Sequence, residues 1–442
     1  MIWHILRYLL SLSVPAFYRK IEIKHPERIS SNVPTILSFN HPNAFTDPLG
    51  ITFGIWPIRT WYMARGDVFK PGIISSILEN IGIVPIFRLR DGGKEGLLKN
   101  DESYQRMYRL LKKNKKVIVF SEGLCVQERR LRPIKKGVPR MIFSAMDILK
   151  NDKLTVVPVG LFYEKPSKFR SDWLFIIGEP IKLKGWYNEY LIEPTKTLYR
   201  FQQYLESEMK KLVIHINNYK FDKLAEELEN VYYPEFLFKH HKKSPSPFQR
   251  FLLAQKITEA LNNLDPDVPE VKQCRIMFSD FDKFCRKHKI RPWMADPYFF
   301  KNLKAMDYLA VFILLIFSPL KVISNLLFFI PEKISLYLTS KFVKSKEFYS
   351  SFLIGIGTFI FLFYFLGISS ILNFCFSTER YPIFLPSFLL MLTLSAFYFK
   401  TYTPYKKLLS WAIRGRGEKI RQAKIMLINC KKTFESLTNF KV

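Results

Sequence analysis

Between residues 30 and 180, short apolar runs alternate with longer stretches in which apolar residues recur at helical spacing. The runs PTILSF (34–39), RTWYMA (59–64), GIVPIF (82–87), KVIVFS (116–121), LTVVPVGLF (154–162) and WLFIIG (173–178) have the length and composition of strands. Between them, DESYQRMYRLLKKN (101–114) sets Met107, Leu110 and Leu111 at helical spacing. This alternation predicts an α/β domain with a mostly parallel sheet flanked by helices. Residues 194–230 predict one or two long helices. Residues 231–306 are mixed, basic and aromatic, with HHKKSPSP (240–247) as a linker.

From residue 307 the pattern changes to that of a helical membrane region. Phe348 to Thr378 carries no charge for 31 residues and Tyr381 to Phe399 none for 19. Each is long enough to cross a hydrocarbon layer about 30 Å thick. These runs predict transmembrane helices over 350–374 and 382–399. The earlier stretch 308–331 is interrupted by Pro319 and Lys321, and a central lysine costs about 2.5–3.5 kcal/mol on insertion. It is flanked by Lys301 and Lys304 on one side and by Lys333, Lys341, Lys344 and Lys346 on the other. Basic flanks at both ends predict a re-entrant segment whose ends stay on the cytoplasmic side. The Glu379–Arg380 turn is then the outer turn, and the basic tail 400–442 returns to the cytoplasm.

Composition changes the picture in one respect. Sixty-eight Lys and Arg against 38 Asp and Glu give a net charge of +30, which favours an anionic partner, nucleic acid or an anionic membrane surface. The apolar runs place much of the aromatic content in a bilayer, so a nucleic-acid partner is not expected. Five scattered cysteines, with no CxxC or Cys/His cluster, indicate neither a disulfide framework nor a zinc site. The first residues, MIWHILRYLLSLSVPAFYRK, lack a basic leader and a small-residue cleavage site. They read as a helix lying in the membrane interface or packed on the core, assigned to residues 1–30.

Candidate chemistry sits in NHPNAFTDP (40–48), where a strand gives way to a helix. Asp47 is the only acid between Glu27 and Asp67, and His41 is one of seven histidines. An unperturbed histidine pKa of about 6.5 suits a general base, and a carboxylate on the other ring nitrogen would fix its tautomer. Taken alone, such a pair is more often a cap and a surface residue. Three further blocks change the reading: Arg88 closing GIVPIFR (82–88), Glu122 and Gly123 closing VFSEG (119–123) ahead of LRPIKKG (131–137), and the Val-Pro run VVPVGLF (156–162). Ligands of open α/β sheets bind outside the carboxyl ends of the strands, where the polar residues of these blocks would meet.

The order of a His–Asp block, an Arg-terminated strand, a Phe-x-Glu-Gly block and a Val-Pro strand resembles the glycerolipid acyltransferase family of glycerol-3-phosphate and 1-acylglycerol-3-phosphate acyltransferases. The likeness covers about residues 1–220. Two departures stand out. Five residues separate His41 from Asp47 where four are common in the family, and FSEGLC stands where the family has Phe-Pro-Glu-Gly-Thr-Arg.

The resemblance implies transfer of a fatty acyl group from acyl-CoA or acyl carrier protein, with no other cofactor, to a hydroxyl of glycerol-3-phosphate or a lysophospholipid. It implies His41 as the base and Asp47 as its orienting partner. Arg88 would bind the acceptor phosphate, Glu122 its glycerol hydroxyls, and Gly123 would let backbone approach it. Lys136, or one of Arg129, Arg130, Arg132 and Lys135, would complete phosphate binding. Cys125, beside this block, reads as an apolar filler rather than a nucleophile. The expected organisation is an interfacial helix (1–30), an acyltransferase domain (31–220), a basic helical accessory region (221–306), the membrane region (307–399) and the tail (400–442). The competing reading is an inactive acyltransferase fold serving as a lipid-binding or membrane scaffold.

Overall fold

The six apolar runs all become strands in the computed structural model. They are β2 (Thr35–Phe39), β3 (Thr60–Arg65), β4 (Ile83–Ile86), β5 (Lys116–Phe120), β6 (Thr155–Tyr163) and β7 (Asp172–Ile177). Two more join them: β1 (Lys20–Lys24) and the two-residue β8 (Ile181–Lys182). The structure describes residues 2–48, 50, 58–66, 72–80, 82–86, 100–150, 153–240, 246–296, 298, 312–313, 316, 318–376, 385–391, 393–398 and 417–442.

The sheet runs β1-β7-β6-β2-β5-β3-β4, with β8 on β6. Pairings of β2 with β5 and β6, of β3 with β4 and β5, and of β1 with β7 are parallel. Among the described residues, only the β6–β7 and β6–β8 pairings are antiparallel. Helices flank this mixed, mostly parallel sheet, as the alternating pattern predicts. β2 is buried at every position and β6 at all but its first, because central parallel strands are covered on both faces. One face packs Met107, Leu111, Ile142, Phe143, Phe201 and Leu205 from the helices Asn100–Lys112, Gly137–Leu149 and Pro194–Lys210. At the amino end of β5 the buried Lys116 ammonium donates to the carbonyls of Ser31, Val33 and Asn114.

The chain divides into two compact units. One is Met1–Val213 with Thr339–Thr358; the other is Ile214–Leu338 with Phe359–Val442. The first extends the sequence reading at its start. The helix Ile2–Phe17 buries Leu10, Val14 and Phe17 in the core, and β1 carries the sheet back to Lys20. Residues 1–30 therefore group with the α/β unit, in line with the alternative of a helix packed on the core. KIEIK hid this because an edge strand, half exposed, can keep charges at alternate positions.

In the second unit the helices Asp222–Lys239, Pro247–Asn262 and Pro269–Lys287 are joined by Glu418–Thr438. That last helix buries Ala423, Leu427, Cys430 and Phe434, a stripe at helical spacing within a lysine-rich sequence. The basic tail thus ends as a packed helix. Lys431, on the same helix, lies 2.9 Å from Glu235 and 3.0 Å from Asp296.

Two helices, Val322–Phe342 and Lys346–Phe376, are long and apolar enough to cross a membrane. The first continues a helix that starts at Ser318 and runs unbroken to Phe342, so residue 331 is not the end of an element. Pro331 lies inside it and has no N–H for the Leu327 carbonyl one turn back. The Tyr364 hydroxyl, from the neighbouring apolar helix, donates to that carbonyl at 2.7 Å. A shorter apolar helix spans Leu385–Tyr398, within the predicted 382–399, and the Glu379–Arg380 turn lies outside the described residues.

Candidate functional site

The register of the central strands builds the site. Phe39 of β2 pairs with Phe120 of β5 and Val159 of β6, so the residues just beyond β2 and β5 emerge side by side along the last residues of β6, which runs on to Tyr163. Asn40 then extends β2 with its side chain. Its carboxamide accepts from the Leu161 N–H at 2.7 Å and donates to the Leu161 carbonyl at 3.1 Å. His41 leaves the sheet at this point, and its imidazole stacks on Phe120 with centroids 3.8 Å apart.

The chain turns back through Pro42–Phe45 and is helical at 46–48. Ala44 has φ +40°, a left-handed conformation uncommon for a residue with a Cβ. The turn brings Asp47 under the ring, with Nδ1 of His41 2.8 Å from Oδ2 of Asp47. The five-residue interval therefore still closes the pair. Asp47 is fully buried. Its Oδ2 also accepts from the Asn43 N–H at 2.8 Å, and its Oδ1 from the Tyr163 hydroxyl at 2.6 Å. Three donors on one acceptor-only group offset the cost of burying it. Because Asp47 accepts, Nδ1 of His41 donates, and the lone pair resides on Nε2. The His41 side chain keeps 18% of its surface open while Asp47 keeps none. A base with one committed nitrogen and one available nitrogen can take a proton from a bound hydroxyl.

Glu122 lies beside His41, held by backbone donors. Oε1 accepts from the His41 N–H at 3.0 Å and Oε2 from the Arg132 N–H at 2.9 Å. The carboxylate thus braces the His41 turn against the basic loop 129–136. Burial pushes its pKa up, opposed by the two N–H donors. Gly123 has φ +64°, and a Cβ there would press on the Lys135 side chain at 3.0 Å. Lys136 is exposed and directly precedes the helix Gly137–Leu149. Arg88 lies outside the described residues. The Cys125 thiol is held protonated, chiefly by burial and then by the nearby Asp47 charge. Its sulfur accepts from the Ala44 N–H at 3.0 Å, which fits a filler and not a nucleophile.

Several partners of the pair escaped the sequence reading. Tyr163 follows the strand run 154–162 by one residue, and its strand-end position was the available signal. Burial, then the Asp47 charge, keeps its hydroxyl protonated and able to donate. Tyr18 and Trp173 stack around it, and Tyr18 accepts from the Asn43 carboxamide at 3.0 Å. Ser350 and Ser351 reach the same turn from three hundred residues away, and no local pattern marks them.

Residues 20–161 match the family model described as Acyltransferase. Over 100 residues the chain is 37% identical to glycerol-3-phosphate O-acyltransferase 2 of Saccharomyces cerevisiae, and over 80 residues 34% identical to glycerol-3-phosphate O-acyltransferase 1 of the same yeast. These stretches are 22% and 18% of this chain, and they span only 14% and 10% of the two yeast proteins. A 1-acyl-sn-glycerol-3-phosphate acyltransferase of Bacillus subtilis is 25% identical over 166 residues, covering 36% of this chain and 73% of that protein. Among solved structures, the 1-acyl-sn-glycerophosphate (LPA) acyltransferase PlsC of Thermotoga maritima aligns with 47% of this chain and 77% of its own, at 17% identity and a TM-score of 0.33. Residues 20–161 thus form a domain of the acyltransferase family.

Proposed function

We propose that the protein moves a fatty acyl group from a thioester, acyl-CoA or acyl carrier protein, to a hydroxyl of glycerol-3-phosphate or of a lysophospholipid such as lysophosphatidic acid. The observation that carries this reading is the imidazole of His41 held 2.8 Å from a fully buried Asp47 at the strand ends. The names of the yeast and Bacillus relatives support the acceptor class.

In this mechanism the acceptor oxygen attacks the thioester carbonyl carbon while its proton passes to Nε2 of His41. Asp47 stabilises the imidazolium that forms. The tetrahedral intermediate collapses with cleavage of the C–S bond, and the same proton leaves with the departing sulfur as a thiol. Arg88 and Lys136 hold the acceptor phosphate, for which a guanidinium offers a planar fork of donors. The helices Val322–Phe342 and Lys346–Phe376 support an integral membrane protein, and the basic flanks support a catalytic domain on the cytoplasmic face.

The test is an assay of the purified full chain with acyl-CoA and acyl carrier protein thioesters against a panel of these acceptors. Turnover that disappears in His41→Ala is the expected result. A folded parent protein that esterifies none of the acceptors overturns the reading and leaves the scaffold role.

A further inference from the structure

The turn that carries Asp47 does not hold itself. Asn43, whose N–H reaches Asp47, is fully buried, and its side-chain oxygen accepts from the Ser350 hydroxyl at 2.7 Å. Thr46, the residue before Asp47, donates its N–H to the Ser351 hydroxyl at 3.1 Å. The Thr46 hydroxyl lies 2.9 Å from that of Ser351 and 3.3 Å from that of Ser350. One turn earlier on the same helix, the Lys346 carbonyl accepts from Gln127 and Ser167. Beside them Phe348 meets Phe45 edge to face at 5.8 Å. Residues 339–358 group with the α/β unit, so these contacts lie within one body.

Lys346, Phe348, Ser350 and Ser351 come from the first turns of Lys346–Phe376, the most apolar long helix among the described residues. A membrane anchor needs no hydroxyls buried against a catalytic turn. Asn43, Thr46, Asp47 and Ser350 are fully buried, and a buried polar network persists only where its members satisfy one another, and then it fixes geometry. Ala44 at φ +40° makes the turn one that needs outside support.

We infer that Ser350 and Ser351 are positioning residues for the His41–Asp47 pair, so that the start of the apolar helix is a working part of the active site. This rests on the acyl-transfer reading for its kinetic arm only. The hydroxyls act through Asn43 and Thr46: they hold the turn so that Asp47 meets Nδ1 of His41. Their loss lets the carboxylate wander from the ring, which lowers the chemical step without changing the surfaces that hold the thioester.

The experiment uses the full chain with Ser350→Ala and Ser351→Ala combined, compared with Ser350→Thr combined with Ser351→Thr, which keeps both hydroxyls. Thr358→Ala is the control on the same helix, since its hydroxyl bonds the helix's own Ile354 carbonyl at 2.6 Å. The double alanine variant should lower kcat about 10- to 100-fold, as a small misplacement does, with the thioester KM little changed. The threonine pair should recover most of kcat and the control should match the parent. A kcat near the parent value in the double alanine variant, or an equal loss in the control, overturns the inference.

A second readout does not depend on turnover. Cys125 sits under the same turn through the Ala44 N–H. In a Cys375→Ser background, maleimide labelling of Cys125 followed by peptide mass spectrometry should be faster in the double alanine variant than in the threonine pair. Equal rates overturn the inference. If the parent shows no turnover, the acyl-transfer reading falls and the labelling arm still decides the clasp.

Discussion

Each unit of the molecule buries a set of charges, and they are built to opposite ends. In the α/β unit, Asp47 is enclosed by neutral donors and by His41, and the ring it holds keeps an open side. In the helical unit, Lys431 lies between Glu235 and Asp296 and over the Tyr232 ring at 4.8 Å. Every group there faces another group of the protein. The first arrangement leaves one reactive atom for a ligand; the second ties the helices Asp222–Lys239 and Glu418–Thr438 to each other. A buried charge marks chemistry when its network ends on an accessible atom, and marks architecture when its network closes on itself.

This contrast breaks most sharply at its two centres. His41→Ala and Asp47→Asn should each lower kcat/KM about 10²–10⁴-fold, the worth of general-base assistance, with unchanged circular dichroism and thermal unfolding. Steady-state kinetics on the purified variants checks this. Equal loss of fold and activity would place Asp47 with Lys431 as an architectural charge.

Lys431→Met should do the reverse. Glu235 keeps Lys239 at 2.8 Å, but leaving the buried Asp296 without Lys431 costs about 3–5 kcal/mol. Hydrogen exchange should accelerate along Asp222–Lys239 and Glu418–Thr438 while the strands stay protected and kcat remains close to the parent value. A slower chemical step with unaltered exchange would contradict the assignment.

Tyr163→Phe sharpens the comparison inside the first unit. It removes one of three donors from Asp47 and should lower kcat about tenfold, the effect of one hydrogen bond to a charged group. The acceptor and thioester KM values should move little. The smallest effect is expected for Tyr364→Phe, which leaves the Leu327 carbonyl unanswered at a cost of about 1 kcal/mol. A lower midpoint in detergent-titrated unfolding, with kcat unchanged, is the expected readout.

Much of this was legible in the chain, for reasons that separate local from distant information. The central strands were readable because a strand covered on both faces must be a continuous apolar run between turns. The His41 block was readable because three further blocks follow it in order, although the lone His–Asp pair was weak by itself. β1 was missed because its edge position tolerates Lys20, Glu22 and Lys24. The partners of Glu122 could not be read because they are backbone N–H groups, which every residue but proline carries. Ser350 and Ser351 were unreadable because two serines in an apolar run look like ordinary helix residues. The Glu418–Thr438 helix was masked by its lysines, although its stripe Ala423, Leu427, Cys430 and Phe434 was present all along.

The carbonyl of Leu327 bears on how the chain is made. Ribosomes deliver Pro331 before Tyr364, so the first apolar helix is made before the hydroxyl that answers its Leu327 carbonyl in the folded chain. In hydrocarbon an unanswered carbonyl oxygen is costly. If the two helices enter a bilayer, the first has reason to wait at the channel, in contact with water or the translocon, until the second arrives and both move into lipid together. Tyrosine 364 in this sense sets a timetable, and a chain cut between the two helices should be released late and degraded early.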